Sequence, residues 1–417
     1  MDLNRFQKTL KNVNEFGFTE NGMNRLAYTE TERNALAYMI ELFKQEGMNV
    51  RVDEIGNVIA RREGVNPSLP VVACGSHIDT VYNGGKYDGT VGVVAGLEVV
   101  RYLNDHNIKT EHPIEVIIFA CEESARFGIA TLGSKGMAGL LNKEVIADLQ
   151  DKEGITLQEA MQSSGLNIDF IESAKRKKCE FKSFFELHIE QGPVLEEAAV
   201  PIGIVTGIAA PTRFHIIING QAAHSGTTPM NYRRDAFSGA TEISLALEQV
   251  VQQEMKFGTV ATIGECIVTP GAMNVVPEKA EMKIDIRSIS NLSKKKVKEE
   301  LFHMINRVGE ERKLEINVIE LCDDVPIEMD QQMIQSLKSL CNEFNLSYVE
   351  MASGAGHDAM NMAKICPTGM VFVPSENGLS HNKNEFTPAE QIMEGVRLLT
   401  YVVLKESHAK HHSILGE

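Results

Sequence analysis

The sequence predicts an α/β protein of two domains, one inserted into the other, and three observations carry that prediction. The chain has 417 residues, more than one typical domain. Short apolar runs alternate with helical-period segments toward both ends of the chain, the pattern of a mixed sheet with helices on both faces. Between them, from Arg213 to Leu321, the order reads strand, helix, strand, strand, helix, strand. That is the ferredoxin-like arrangement, complete in about 110 residues. The expected division is residues 1–210 with 325–417 for the first domain and 211–324 for the insert.

Taken in order, residues 1–48 read as helical, with Leu36, Met39, Ile40 and Phe43 at helical spacing and a stop at Gly47. Met48–Arg61 reads as a strand pair around Ile55-Gly56-Asn57. Leu69–Cys74 is a short apolar run of the kind that makes a buried parallel strand. The helical run Val91–Asn104, the strand Ile114–Cys121 and a short helix over Gly133–Leu141 follow. Asn142–Lys182 is charged and helical, and Ser183–Ile189 alternates as another strand.

Near Ala209-Ala210-Pro211 the character changes and the insert begins. Its strands are Phe214–Asn219, Val260–Val268, Ala280–Ser288 and Leu314–Leu321, and its helices Asp235–Lys256 and Ser293–Lys313. The first domain resumes near Pro326 with a helix, then a strand near Tyr348, the stretch Gly354-Ala355-Gly356-His357-Asp358 and the strand Met370–Val373. A last helix, Pro388–Lys405, precedes a tail with His408, His411 and His412 that reads as a frayed end.

Composition narrows the function. Hydrophobic residues make up 43% and charged residues 24%, the balance of an ordinary soluble globular protein. A formal net charge of −16 argues against nucleic acid or an anionic membrane as partner. There is neither a membrane-spanning apolar run nor a charged-then-apolar leader. The seven cysteines include no C-x-x-C pair, and Cys74 and Cys121 lie inside apolar strands. A reducing cytoplasm is the expected location.

The chemistry centres on Gly75–Gly89, which reads G-S-H-I-D-T-V-Y-N-G-G-K-Y-D-G. His77 and Asp79 lie two residues apart at a strand end, so in extended backbone they point the same way. A carboxylate beside an imidazole takes its second N–H, fixes the tautomer and aims the free nitrogen at a metal. Asp88 follows in a loop rich in glycine. A single H-x-D is ordinarily a solvated turn. Here Glu123, His188 and His381 also stand at strand ends or just beyond them, where open parallel sheets gather ligands.

Three imidazoles and two carboxylates exceed the needs of one catalytic zinc. They suit two divalent ions sharing a carboxylate, spaced roughly 3.5–4 Å apart. Mixed nitrogen and oxygen ligation fits zinc, and also manganese, cobalt or nickel. Glu122 stands beside Glu123, and neighbours at a strand end diverge, so Glu122 is free to act as general base. An E-E pair is usually a solvated charge run, but this one follows an apolar strand.

G-S-H-I-D-T-V, D-G, C-E-E, E-L-H-I-E-Q-G-P and G-L-S-H-N together resemble the two-metal amidohydrolase family of aminoacylase-like peptidases. His188 in H-I-E-Q-G-P, Ala223–Asp235, Asn274–Pro277 and Ser353–Ala359 resemble its branch of N-carbamoyl-L-amino-acid hydrolases and allantoate amidohydrolases. The resemblance implies a zinc-exopeptidase-like catalytic domain and an inserted lid and dimerisation domain. It further implies that Asp88 bridges two ions, with His77 and His188 on one and Glu123 and His381 on the other. His224 would donate to the oxyanion, commonly from the partner subunit of a homodimer. Periodicity alone leaves Arg287 evenly open between a solvent-facing strand residue and a binding residue; the resemblance implies that it binds a substrate carboxylate. Asn274, Gln191 and His357 are candidates for polar contacts to substrate, whereas His215 reads as structural and His106 and His112 have no role.

The expected activity is hydrolysis of the ureido C–N bond of N-carbamoyl-L-amino acids. Allantoate hydrolysis is the first alternative, supported by the Gly226-Thr227-Thr228-Pro229 loop, with ureidopropionase beside it. An aminoacylase or peptidase is disfavoured by His188, which stands where other branches carry a carboxylate. A metal-binding scaffold without catalysis is disfavoured by Glu122.

Overall fold

The computed structural model describes residues 1–408. The chain falls into two units. One comprises Met1–Thr206, Met329–Met351 and the chain from Gly356; the other is Gly207–Glu328 with Ala352–Ala355.

The first unit is built on a mixed sheet. At its centre four neighbouring strands run parallel, in the spatial order Thr368–Val373, Phe181–Ile189, Val71–His77 and Ile114–Phe119. They are buried almost throughout, which explains why apolar residues dominate them, although Phe181–Ile189 carries Lys182, Ser183, Glu186 and His188 and alternates. Antiparallel strands extend both sides. Val58–Arg62 and then Asn49–Val52 lie beyond Ile114–Phe119, and Ile202–Ile208 pairs with Thr368–Val373. The helices Thr90–Asp105 and Ala389–Glu406 pack against the central strands. Gly92 lets the first of them approach closely, because a Cβ there would lie 2.3 Å from the Leu187 carbonyl oxygen.

Several bounds differ from the sequence-based expectation. The first central strand runs through His77, because its ladder with Ile114–Phe119 continues to the His77–Phe119 rung. Asn142–Lys182 is broken into short helices at Lys143–Ile146 and Leu157–Ser163 and 3-10 turns, around an apolar cluster that includes Leu157, Met161, Ile168 and Ile171. The helix expected near Pro326 starts at Gln331, where the Asp330 carboxylate accepts the backbone N–H groups of Gln332 and Met333. The strand Ile202–Ile208 is absent from the sequence-based reading; its glycines dilute the β signal. Of the tail histidines, His411 and His412 lie outside the described residues, while His408 Nε2 is 2.9 Å from Lys182 Nζ.

In the second unit the strands Val260–Thr269, Lys279–Ser288, Ala210–Asn219 and Glu315–Asp323 form an antiparallel sheet in that spatial order. The helices Ala236–Glu254 and Asn291–Arg312 join its core with Phe214, Ile216, Met282, Ile284 and Leu301. Alternation divides the Lys279–Ser288 strand: Met282, Ile284 and Ile286 are buried, and Glu281, Lys283, Asp285 and Arg287 take the other face. A small ribbon pairs Ala223–His224 with Val275–Val276.

Candidate active site

The C-terminal ends of the four parallel strands place His381, His188, His77 and Glu123 side by side along one rim of the first unit. His77 is the last residue of its strand, and His188 the penultimate residue of its own. Glu122 and Glu123 follow Ile114–Phe119, and His381 lies in the loop after Thr368–Val373. Asp88 comes from the loop between the His77 strand and the following helix, and is buried.

The Asp88 carboxylate is the hub. Its Oδ1 lies 3.3 Å from His77 Nε2 and 3.2 Å from His188 Nε2, and its Oδ2 lies 3.3 Å from His381 Nε2. His381 Nε2 is also 3.2 Å from Glu123 Oε1. Two groups able to hold an ion result, His77 with Asp88 and His188, and Asp88 with Glu123 and His381, each with ligand atoms within 4.8 Å of one another. All five ligand candidates meet here.

Backbone carbonyls set two of the imidazoles. His77 Nδ1 is 2.9 Å from the Asp79 carbonyl oxygen, and His188 Nδ1 is 2.9 Å from that of Ile189. A carbonyl can only accept, so each Nδ1 carries a proton, which leaves Nε2 as the ring nitrogen that can turn to an ion. The Gly89 N–H donates to His188 Nε2 at 3.0 Å, so a ligand there takes over that lone pair.

One expectation is corrected. The Asp79 carboxylate does not receive the imidazole N–H of His77, because its Oδ1 is 3.7 Å from Nδ1 and the main-chain oxygen stands nearer. It accepts instead the backbone N–H groups of Glu122 at 3.1 Å and Glu123 at 3.0 Å. Asp79 therefore shapes the turn that presents both glutamates.

Glu122 Oε2 lies 3.7 Å from His77 Nε2. Burial pushes its carboxyl well above the usual range; His77 opposes this and Glu123 adds to it. His357 packs edge-on against His188, ring centres 4.6 Å apart. Burial and then the neighbouring His188 hold it well below the usual imidazole range, so it is neutral. Gln191, at φ +60°, turns its amide onto Asp88: Nε2 donates to Oδ2 at 2.6 Å. That contact occupies the amide nitrogen, whereas the amide oxygen Oε1 is buried and makes no hydrogen bond among the described residues.

His224, Asn274 and Arg287 belong to the second unit. His224 Nδ1 accepts the N–H groups of Gly226 at 3.0 Å and Thr227 at 3.3 Å, so a neutral ring offers Nε2–H as donor from the exposed end of its ribbon strand. Asn274 is exposed, and its carbonyl accepts the Ser225 N–H at 3.0 Å. The Arg287 guanidinium is engaged by Asp285, at 3.1 Å from Oδ2, and donates to the Gly354 carbonyl at 2.8 Å. His215 Nε2 lies 3.0 Å from Glu281 Oε2.

Three supporting residues escaped the sequence reading. Glu186, on the His188 strand, accepts the Ser76 hydroxyl at 2.8 Å and the Ala359 N–H at 2.8 Å, joining the His77 strand to the segment after His357. Arg25 is fully buried and donates to the Ile78 carbonyl at 2.6 Å and the Thr90 hydroxyl at 2.9 Å, bracketing the Asp88 loop. Glu385 accepts the N–H groups of Tyr87 and Asp88. A period-2 strand pattern flags the even positions around Glu186, but nothing local marks Arg25 or Glu385.

A parallel sheet whose C-terminal rim gathers imidazoles and carboxylates about one shared aspartate defines a metal-binding hydrolase. The model of Peptidase family M20/M25/M40 matches residues 73–405. An uncharacterized hydrolase of Haemophilus influenzae is 48% identical over 369 residues, 88% of this chain and 90% of its own. The N-carbamoyl-L-amino-acid amidohydrolase of Pseudomonas sp. (strain NS671) is 40% identical over 369 residues, 88% of each chain. A crystal structure of a hydantoinase/carbamoylase family amidase from Burkholderia multivorans superposes with a TM-score of 0.90 at 34% identity, covering 97% of this chain and 98% of that one. The chain belongs to peptidase family M20/M25/M40, in its hydantoinase/carbamoylase branch, and is an amidohydrolase.

Proposed function

We propose that the chain hydrolyses the ureido C–N bond of N-carbamoyl-L-amino acids to the free amino acid, ammonia and carbon dioxide. The observation that carries this reading is the Asp88 carboxylate, approached at 3.2–3.3 Å by imidazole nitrogens on both oxygens. The donor set fits two divalent ions, zinc or manganese, with cobalt or nickel also suited. His77, Asp88 and His188 would hold one, and Asp88, Glu123 and His381 the other. Such a pair supplies Lewis acidity, polarising a carbonyl and making water a nucleophile near neutral pH.

The chain's own residues do the rest. Glu122 takes the proton of the attacking water and returns it to the amino-acid nitrogen as the C–N bond breaks. The carbamic acid released falls apart to ammonia and carbon dioxide. His224 donates Nε2–H to the oxyanion, from its own chain or from a second copy. Arg287 exchanges Asp285 for the substrate carboxylate, and Asn274 and His357 complete the polar surround. We read the protein as a cytoplasmic homodimer joined through the second unit. All seven cysteines are free, which agrees with a reducing compartment.

Allantoate, also a ureido acid, is the second reading, favoured by the Gly226–Pro229 loop around His224. One assay tests both: chelated protein is given manganese or zinc and then a panel of N-carbamoyl-amino acids and allantoate. Activity on a carbamoyl-amino acid that disappears on chelation and returns with the ion is the expected result. Full turnover by rigorously metal-free protein would overturn the two-metal reading, and turnover of allantoate alone would replace the substrate.

A further inference from the structure

We propose that Glu385 is a positioning residue that fixes the spacing between the two halves of the ligand cluster, by tying the loop of Asp88 to the loop of His381. The inference rests on the two-ion reading above and assigns a new residue to it.

The geometry comes from one buried carboxylate. Glu385 is 3% exposed. Its Oε1 accepts the backbone N–H of Tyr87 at 2.8 Å and that of Asp88 at 3.0 Å. Its Oε2 accepts the Ser380 hydroxyl at 2.9 Å, and the same hydroxyl oxygen stands 3.0 Å from Asp88 Oδ2. Ser380 immediately precedes His381, so Glu385 grips the chain at two candidate ligands 293 positions apart (88 and 381). Room for it is built in: a Cβ on Gly85 would lie 2.1 Å from Glu385 Oε1.

His381 is the ligand candidate that needs such a tether. His77 and His188 sit in strands laddered on both sides, and Glu123 is held by its N–H to Asp79. His381 lies in an irregular loop, at φ +54°, with its side chain 49% exposed. The loop is closed by main-chain bonds from Glu376 N–H to the Phe386 carbonyl and from Glu385 N–H to the Asn382 carbonyl, both at 2.9 Å. Those bonds shape the loop without fixing its distance to Asp88. The Glu385 carboxylate and Ser380 hydroxyl do, alongside Gln191, whose Nε2 reaches Asp88 Oδ2 at 2.6 Å and the Ser380 hydroxyl at 3.2 Å. Partners one step removed from a metal are commonly worth about 10–100-fold in affinity.

The test counts manganese ions and measures their affinities by calorimetry and elemental analysis on the full chain, in wild type, Glu385→Gln, Glu385→Leu and Ser380→Ala. Glutamine keeps an oxygen for both N–H groups and an NH2 for the Ser380 oxygen, so it should hold two ions within a few-fold of wild type. Leucine fills the volume and accepts nothing. It should keep the first ion and weaken the second by about 10–100-fold. Should that variant not fold, Ser380→Ala, which strands no charge, should still weaken the second ion alone. A second-ion affinity unchanged from wild type in Glu385→Leu, or in Ser380→Ala where leucine does not fold, would overturn the assignment. So would equal weakening of both. Fewer than two ions in wild type would overturn the two-ion reading and this inference with it; two ions in wild type, and two held at wild-type affinity in every variant, would overturn this inference alone.

Discussion

Asp79 Oδ1 accepts the backbone N–H of Glu122 at 3.1 Å, and its other oxygen takes that of Glu123, so one carboxylate aims the proposed base and a proposed ligand together. Asparagine at 79 keeps one acceptor and turns an NH2 toward the other N–H. Asp79→Asn should lower kcat by at least tenfold, leave KM within about threefold, and keep His77 in place through the main-chain carbonyl. A wild-type kcat would show that the turn forms without the carboxylate.

Glu122→Gln should retain both ions and bind substrate while losing turnover by roughly 10²–10⁴-fold, the usual worth of general acid–base catalysis. Asp88→Ala should release both ions, because Asp88 stands in both ligand groups. Elemental analysis separates the two roles. Loss of an ion from Glu122→Gln would make Glu122 a ligand.

Gly89 follows Asp88 at φ +60°, and a Cβ on it would lie 2.4 Å from His77 Nε2. Alanine there meets a disfavoured backbone region and the ring of a ligand candidate at once. Gly89→Ala should weaken the first ion far more than the second. Unchanged manganese binding would mean that His77 is not where the ion sits.

Arg287 bonds Asp285 and the Gly354 carbonyl in this structure. If it serves a substrate carboxylate, Arg287→Ala should raise KM for a carbamoyl-amino acid by roughly 10–150-fold, the equivalent of the about 1.5–3 kcal/mol that a charge-assisted contact is worth. It should leave the matching carboxamide little affected, and lysine should rescue poorly, having no planar fork. Equal losses on both substrates would make Arg287 structural. His224→Ala should lower kcat more than it raises KM, since an oxyanion exists only in the transition state.

The pH dependence of stability offers an independent check on the site's support. Asp53 accepts N–H groups from Ile55, Gly56 and Asn57, and Asn57 in turn accepts that of Ala120 at 2.9 Å, just before the glutamate pair. Burial pushes the Asp53 carboxyl up to about 6. A folded-state pKa above the unfolded one gives stability that is full below the unfolded value of about 4 and is lost as pH rises through the folded value. Asp53→Asn should therefore flatten the fall in stability of metal-free protein between about pH 4 and 6. Parallel urea-midpoint curves for the variant and wild type would exclude this.

The parallel strands and the five ligand candidates were legible because both signals are local. A fully buried strand reads as an apolar run, and a histidine or acid at its end breaks that run visibly. Ile202–Ile208 was missed because its pattern mixes isoleucine with glycine, and Asn142–Lys182 was read too regularly because its charges sit on short helical pieces. Glu186, Arg25 and Glu385 stayed hidden for another reason. Their partners lie far along the chain, and a single glutamate or arginine carries no periodicity of its own. Asp79 stands out in the sequence by its spacing from His77, yet its side chain serves a turn that only the folded sheet brings near.

The chain leaves the first unit at Thr206 and returns to it at Met329, so the parallel strand Thr368–Val373 is the last central strand to be translated. A nascent chain arrested before that strand carries His77, Asp88 and His188 but lacks His381. Assembly of the five ligand candidates therefore waits for translation of this last central strand and the loop after it. A product terminated before that strand has the first ligand group and leaves Phe181–Ile189 with an unpaired edge, the kind of edge that invites pairing with another chain.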